Sequence, residues 1–129
     1  MDREAASKVM GKAQYTADLA IPGMVRAKVL RSPHAHARIL RIETAKAEAT
    51  PGVFAVLTRE DFREIDPFYG LAYKDQPILA MEKVRYAGEP VVAVAAADEA
   101  TALEALEHVE VDYEPLPAVL NIQEALSAG

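Results

Sequence analysis

Apolar and polar residues alternate along three stretches of the chain, at positions 25–31, 37–43 and 109–114. A period of two predicts β-strands that bury one side and expose the other. In the first stretch we expect the apolar side to face the core, and that side carries Val25, Ala27 and Val29. In the third stretch the polar side is strongly acidic, which is typical of a solvated strand face. Its acids are Glu110, Asp112 and Glu114.

A different pattern occurs at 91–97, where every residue is apolar. Such a run predicts a central strand covered on both faces. A shorter apolar run at 53–57 predicts another strand, and residues 84–86 also have strand character. The turn Gly88-Glu89-Pro90 precedes the central strand. Because glycine permits unusual backbone angles and proline fixes its own, this turn sets how the chain enters the core.

Helix signals lie between the predicted strands. Asp98 caps a helix that runs to about His108, with apolar residues spaced by three. Thr58 is followed at the third position by an acid, and Asn121 likewise, so both indicate helix starts. The alanine-rich stretch 44–50 favours another short helix. Strands and helices mix without a strict repeat, which predicts an α+β fold, with a mixed sheet packed against a few helices.

A chain of 129 residues has the length of one ordinary domain, so we expect a single domain over 1–129. Residues 1–13 are small and polar and are interpreted as an N-terminal arm outside the core. Residues 63–79 follow neither period and contain the aromatic residues Phe68, Tyr69 and Tyr73. A long unpatterned loop in a small domain is typically functional or docked against something.

Charge and composition exclude several classes of function. The net charge of −6 argues against a nucleic-acid surface, which needs clustered cations. The absence of cysteine excludes a disulfide framework and cysteine-ligated zinc or iron–sulfur centres on this chain. The apolar stretch 90–97 is too short to cross a bilayer, and no apolar run follows the first residues as in a signal peptide. We therefore expect a cytoplasmic protein.

Candidate chemistry is sparse. His34 and His36 would point the same way on an extended segment, but a metal site needs a third ligand and none lies nearby. We therefore favour a structural role for both. If the first two strands pair, their basic residues form one positive patch, either a solvated hairpin face or a docking surface for an acidic partner. The residues of that patch are Arg26, Lys28, Arg31, Arg38 and Arg41.

Several segments, in order, resemble a known domain: GKAQYTADLAIPGM, LRSPHAHARI, ATPGVFAVLTREDF, and the long stretch from DQPILAMEKVRYAGEPVV to NIQEAL. Together they are similar to the N-terminal α/β-hammerhead domain of the molybdenum hydroxylase large subunit. That family comprises xanthine dehydrogenase, aldehyde oxidase, carbon monoxide dehydrogenase and 4-hydroxybenzoyl-CoA reductase. The similarity runs from about residue 2 to residue 126, essentially the whole chain.

The resemblance implies an α/β-hammerhead fold in an enzyme that hydroxylates, or in one branch reductively dehydroxylates, carbon. It implies a molybdenum pterin, 2Fe–2S clusters and often FAD in the complete enzyme, all held by other domains or subunits. No catalytic, cofactor-binding or metal-binding residue transfers to this sequence. The expected function is a structural and interface domain, inactive alone, with the molybdenum-pterin domains and the iron–sulfur subunit as partners. The alternative is a free-standing interaction module with the same fold.

The residues that the resemblance carries over are structural or interfacial. Gly11, Tyr15 and Asp18 match the family's N-terminal motif. A second set of residues is expected to face neighbouring domains, as are the aromatic residues of the 63–79 loop. That set is Arg31, Ser32, Pro33 and His36 of the "RSPHAHA" segment, with Gly88, Glu89 and Pro90 of the "GEP" turn.

Overall fold

A computed structural model describes residues 3–127 of the chain. Its helices are α1 (Arg3–Val9), α2 (Ala45–Glu48), α3 (Glu99–Glu107) and α4 (Ile122–Ser127), with two 3-10 turns at Thr16–Asp18 and Arg59–Phe62. Its strands are β1 (Arg26–Arg31), β2 (Ala37–Glu43), β3 (Val53–Leu57), β4 (Phe68–Tyr69), β5 (Gln76–Pro77), β6 (Lys83–Val84), β7 (Pro90–Ala96) and β8 (Glu110–Pro115). Positions 1–2 of the predicted N-terminal arm lie outside the described residues.

The strands form two three-stranded sheets and one small hairpin. Sheet A has the order β1-β7-β3 and sheet B the order β6-β2-β8, and β4 pairs with β5. Every one of these pairs is antiparallel. The α+β class is confirmed; within that class the strands divide among small antiparallel sheets rather than one mixed sheet.

Strand β7 is the centre of sheet A, as the apolar run at 91–97 predicted. Val91, Val92 and Val94 have no exposed surface. The predicted cover on both faces holds only in part, because Ala93 and Ala95 are half-buried. Helices α2 and α3 pack against one face of the sheet, where Val94 contacts Ala47 and Ala105.

The buried and exposed sides of strand β1 are the reverse of those predicted. Lys28 and Leu30 are half-buried on the side of α3, whereas Val29 is 37% exposed on the other side. The Lys28 ammonium lies 2.5 Å from the Glu99 carboxylate at the start of α3. Alternation establishes that two faces differ, but the position of the helix decides which one is covered. Lys28 can lie on the covered side of the strand because its ammonium group pairs with the carboxylate of Glu99.

The predicted single basic patch is wrong, because β1 and β2 belong to different sheets. Strand β2 pairs instead with β8, where Arg38 lies opposite Glu114 and Arg41 opposite Asp112. The Arg38 guanidinium is 3.1 Å from the Glu114 carboxylate. The acidic face of β8 is exposed, as predicted; besides the Glu114–Arg38 pair, Glu110 lies 2.6 Å from the Lys46 ammonium of α2.

The predicted helix starts are confirmed. The Asp98 carboxylate accepts the backbone N–H of Thr101 at 2.8 Å and begins α3. Thr58 begins the 3-10 turn Arg59–Phe62, and Asn121 accepts the N–H of Glu124 at 2.8 Å before α4. Helix α1 lies within the arm that was interpreted only as a polar segment. None of the helices between residues 3 and 127 is long and apolar enough to span a membrane.

Candidate functional site

The "RSPHAHA" segment and the "GEP" turn are locked together by three hydrogen bonds. The Arg31 guanidinium donates to the Gly88 carbonyl at 2.8 Å. The N–H of Gly88 donates to the Ser32 carbonyl at 2.8 Å, and the N–H of Ser32 donates to the Glu89 carbonyl at 3.0 Å. These bonds lie where β1 leaves sheet A and β7 enters it, beside a bulge between Leu30 and Arg31. The two segments, 56 positions apart from Ser32 to Gly88, therefore form one rigid unit, which we call the double turn (residues 31–36 and 85–90).

Ser32 shapes the first half of the double turn. Its hydroxyl accepts the N–H of His34 at 3.0 Å and contacts the His34 carbonyl at 3.1 Å. Ser32 is only 3% exposed, whereas Pro33 next to it is exposed. A serine hydroxyl bonded two residues on is a frequent way to close a turn. Pro33 is consequently presented to the outside on a fixed backbone.

Glu89 shapes the second half. It is 3% exposed, and its carboxylate accepts the backbone N–H of Arg85. Gly88 has a φ of +94°, in the region that favours glycine. Pro90 begins β7, and its carbonyl accepts the N–H of Ala80 at 2.7 Å. The glycine and proline predicted from the sequence to control this turn do so.

His36 joins the double turn to the segment after β8. Its Nδ1 lies 2.6 Å from the Pro117 carbonyl oxygen, and its own carbonyl accepts the N–H of Leu116 at 2.9 Å. The ring of His34 instead meets Tyr113 edge-on, with centroids 4.9 Å apart. Burial raises the pKa of Tyr113, and a hydrogen bond with Ser32 partly opposes that rise. Both histidines therefore have structural partners.

The predicted 63–79 loop is organised by the small β4–β5 hairpin. Phe68, Tyr69 and Tyr73 are 36%, 55% and 80% exposed, so the aromatic surface expected there is present. Tyr69 lines a depression of about 350 Å³ together with Glu89 and Pro90. The hairpin thus stands beside the second half of the double turn, where Tyr69 shares this depression with Glu89 and Pro90.

Arg85 is the residue that the sequence interpretation missed. It is exposed and lines three depressions: one of about 600 Å³ with His36, one of about 620 Å³ with Phe68, and the Tyr69 depression described above. Positions 84–86 were interpreted only as a strand, whereas β6 ends at Val84. The available signal was a cation four residues before the glutamate of a turn. Arg85 is therefore the residue of the double turn that also borders the hairpin.

Metal-ligating side chains do not cluster in the part of the chain that the structure describes. Between residues 3 and 127 no three side chains of the His, Cys, Asp or Glu types lie where they could hold a metal ion. The complete sequence has no cysteine, so it offers no thiolate to a 2Fe–2S cluster. What these residues offer is a shaped contact surface with apolar, aromatic and cationic parts.

Two small antiparallel sheets linked by a rigid double turn define a domain class, and comparisons with known proteins identify it. Residues 10–117 match the family model described as "Aldehyde oxidase and xanthine dehydrogenase, a/b hammerhead domain". The chain belongs to this family.

Relatives and solved structures agree. The carbon monoxide dehydrogenase large chain of Afipia carboxidovorans is 48% identical over 86% of this chain and 14% of its own length. A probable xanthine dehydrogenase subunit of Bacillus subtilis is 43% identical over 92% of this chain and 16% of its own. A crystal structure of Cu,Mo-CO dehydrogenase matches with a TM-score of 0.89 and 43% identity, over 95% of this chain and 16% of that one. The chain thus spans about a sixth of these proteins.

Proposed function

We propose that this chain is a structural and interface domain of a molybdenum-pterin hydroxylase large subunit, folded as one unit over its 129 residues and inactive alone. The observation that carries the proposal is a difference in coverage: the match takes in 86% of this chain but only 14% of the carbon monoxide dehydrogenase large chain. A protein of that kind performs its chemistry with many residues outside this domain. The reaction of the complete enzyme is hydroxylation, or reductive dehydroxylation, at carbon.

The predicted interface residues divide into two roles. Arg31, Pro33 and the hairpin aromatics are exposed, and they contact the neighbouring domains. Ser32 and Glu89 are buried and hold the double turn that carries Arg31 and Pro33. Burial at 3% leaves the latter two side chains almost no surface for direct contact.

The partners in this proposal are the molybdenum-pterin-binding domains and the iron–sulfur subunit of the same enzyme. Relatives carry names that fit such an assembly, among them "Nicotinate dehydrogenase large molybdopterin subunit". In this proposal those partners hold the molybdenum pterin, the 2Fe–2S clusters and FAD; this chain has no cysteine that could ligate an iron–sulfur cluster. The domain contributes shape and contact area.

Co-expression tests the proposal. The tagged 129-residue chain is produced together with the remaining large-subunit polypeptide and the smaller subunits, and molybdenum and iron are measured in the affinity eluate. We expect both metals to be retained, and Phe68→Ala/Tyr69→Ala/Tyr73→Ala to lower their recovery severalfold. Leu103→Ala, an exposed apolar residue on α3, is the matched control.

Two results would contradict the proposal. One is equal metal recovery with the triple variant and the wild-type chain, which would remove the hairpin from the interface. The other is turnover of a substrate by the isolated chain, which would show that it is a complete enzyme. Retention of neither metal by the wild-type chain would instead favour a free-standing interaction module.

A further inference from the structure

One face of sheet A is apolar, and its edge strands are exposed on that face. In the register of the sheet, Ala27 pairs with Ala95, and Ala95 also pairs with Ala55. A second row runs parallel to the first, from Val29 through Ala93 to Leu57. These six residues form what we call the open face.

Burial distinguishes the open face from the opposite one. Val29 and Leu57 are 37% and 43% exposed, and Ala27 and Ala55 are also exposed. On the other face, Val94 is fully buried against Ala47 and Ala105 of the helices, and Val92 is fully buried in the cluster that includes Ile39 of β2. Ala93 and Ala95 of the central strand are half-buried, so the exposure of the open face lies mainly on its edge strands.

The composition of the open face is that of an interior. None of its six side chains is charged or polar. One face of an antiparallel sheet can be exposed to water, but the side chains on that face are then usually polar. The absence of charge fits a contact surface, because the cores of interfaces are depleted in charged residues.

We propose that the open face is covered by another segment of the same large-subunit polypeptide, one that presents large aliphatic side chains; this inference rests on the function proposed above. The polypeptide outside this domain is long, since this chain matches only 14% to 16% of the relatives described. A covalently connected segment meets the face at high effective concentration.

Area argues against a second copy as the occupant. Three strands spaced about 4.8 Å apart, with two rows of side chains, give roughly 200 Å² of sheet, whereas a stable dimer needs about 800 Å² from each partner. Shape indicates the chemistry of the occupant. Four of the six residues are alanines, which leave room for bulky side chains to interdigitate. On the covered face the arrangement is reversed, with valines on the sheet and Ala102 and Ala105 buried on the helix.

Thiol labelling in the complete large subunit tests the inference. Because this chain has no cysteine, Ala55→Cys and Ala27→Cys each place a single thiol on an edge strand of the open face. The matched control is Ala45→Cys, an exposed alanine beside Lys46 on α2. N-ethylmaleimide incorporation at each position is followed by peptide mass spectrometry, with the urea-unfolded protein as reference. We expect both open-face thiols to react at least tenfold more slowly than the control, with and without the smaller subunits.

Three results would overturn the inference. The first is labelling within twofold of the control. The second is protection that disappears on dilution to the monomer, which would indicate a second copy. The third is protection that requires a smaller subunit. Tyr73→Cys, labelled in parallel, reports on the hairpin contact of the proposed function. A reactive thiol there with protected open-face thiols would contradict that contact and leave the present inference supported.

Discussion

The buried carboxylate of Glu89 holds the backbone N–H of Arg85, four residues earlier in the same turn. The Arg85 guanidinium lies 3.7 Å from the other carboxylate oxygen, so the glutamate faces both the backbone and the side chain of one residue. Arg85 lines all three depressions of the candidate site. The buried Glu89 therefore controls the position of the exposed residue that these depressions have in common. The shape of the contact surface therefore depends on an interior hydrogen bond.

Removal of that carboxylate is expected to destabilise the fold. Glu89→Ala leaves the N–H of Arg85 without its acceptor, and an unsatisfied polar group costs about 1–3 kcal/mol. Glu89→Gln retains a carbonyl oxygen and should recover more than half of the loss. Urea unfolding of the purified chain measures both free energies. Glu82→Ala is the control at an exposed glutamate, and an equal loss there would contradict the role given to Glu89.

The two faces of sheet A are expected to respond differently to the same substitution. Val94→Ala removes a side chain with no exposed surface and leaves a cavity, which should cost about 2–3 kcal/mol. Val29→Ala lies on the open face and should cost only about 0.5 kcal/mol in the isolated chain. Denaturant midpoints of the two variants give the comparison. Similar losses would mean that the open face is covered within these 129 residues.

The local signals of the sequence predicted local structure well. Asp98, Thr58 and Asn121 cap the turns they were expected to cap, because capping depends on side chains within a few residues. The central position of β7 followed from a continuous apolar run. Gly88 and Pro90 identified their turn for the same reason, since backbone preference is a local property.

Long-range pairing was outside what the pattern could predict. The alternation at 25–31 was the same whichever face the helix covered, and only the Lys28–Glu99 contact shows which side that is. A single basic patch was predicted on the condition that the first two strands pair, yet these strands belong to different sheets. Arg85 was missed because its importance arises from three segments that meet only in the folded chain.

Acid is expected to weaken the start of α3. The N–H of Thr101 bonds to the Asp98 carboxylate and holds the pKa of Asp98 below its ordinary value of 3.8. A lowered folded-state pKa means that the unfolded chain takes up the proton first as the pH falls. The stability that Asp98 contributes is therefore complete above the ordinary pKa and is lost as the pH falls through the folded value.

Replacement of Asp98 separates its contribution from those of other acids. Glu99 and Glu110 also have lowered pKa values, because of hydrogen bonds from Lys28 and Lys46 respectively, so the wild-type profile is a sum. Asp98→Asn retains a capping oxygen without a titrating proton, and its urea midpoint should fall less between pH 5 and pH 2 than that of the wild type. Parallel profiles for the two proteins would show that the cap does not titrate as described.

The bond between His36 and Pro117 fixes the tautomer of the imidazole. Since a carbonyl oxygen accepts only, Nδ1 at 2.6 Å must carry the hydrogen, and Nε2 is then the acceptor in the neutral ring. Nitrogen-15 chemical shifts of the ring at neutral to alkaline pH should report the Nδ1–H form. A dominant Nε2–H form would contradict the contact.

Substitution at His36 should confirm that this donor is structural. His36→Ala removes the only side-chain link described between the double turn and Pro117, and we expect a loss of about 1 kcal/mol. His36→Asn places an amide N–H near the former Nδ1 position and should recover part of that loss, whereas an electrostatic role would not be rescued by a neutral amide. The neighbouring His34→Asn serves as the comparison, because His34 contacts Tyr113 through its ring and an amide cannot replace that packing. We expect asparagine to recover part of the stability at position 36, where it can replace the hydrogen bond to Pro117, but not at position 34, where it cannot replace the ring contact with Tyr113.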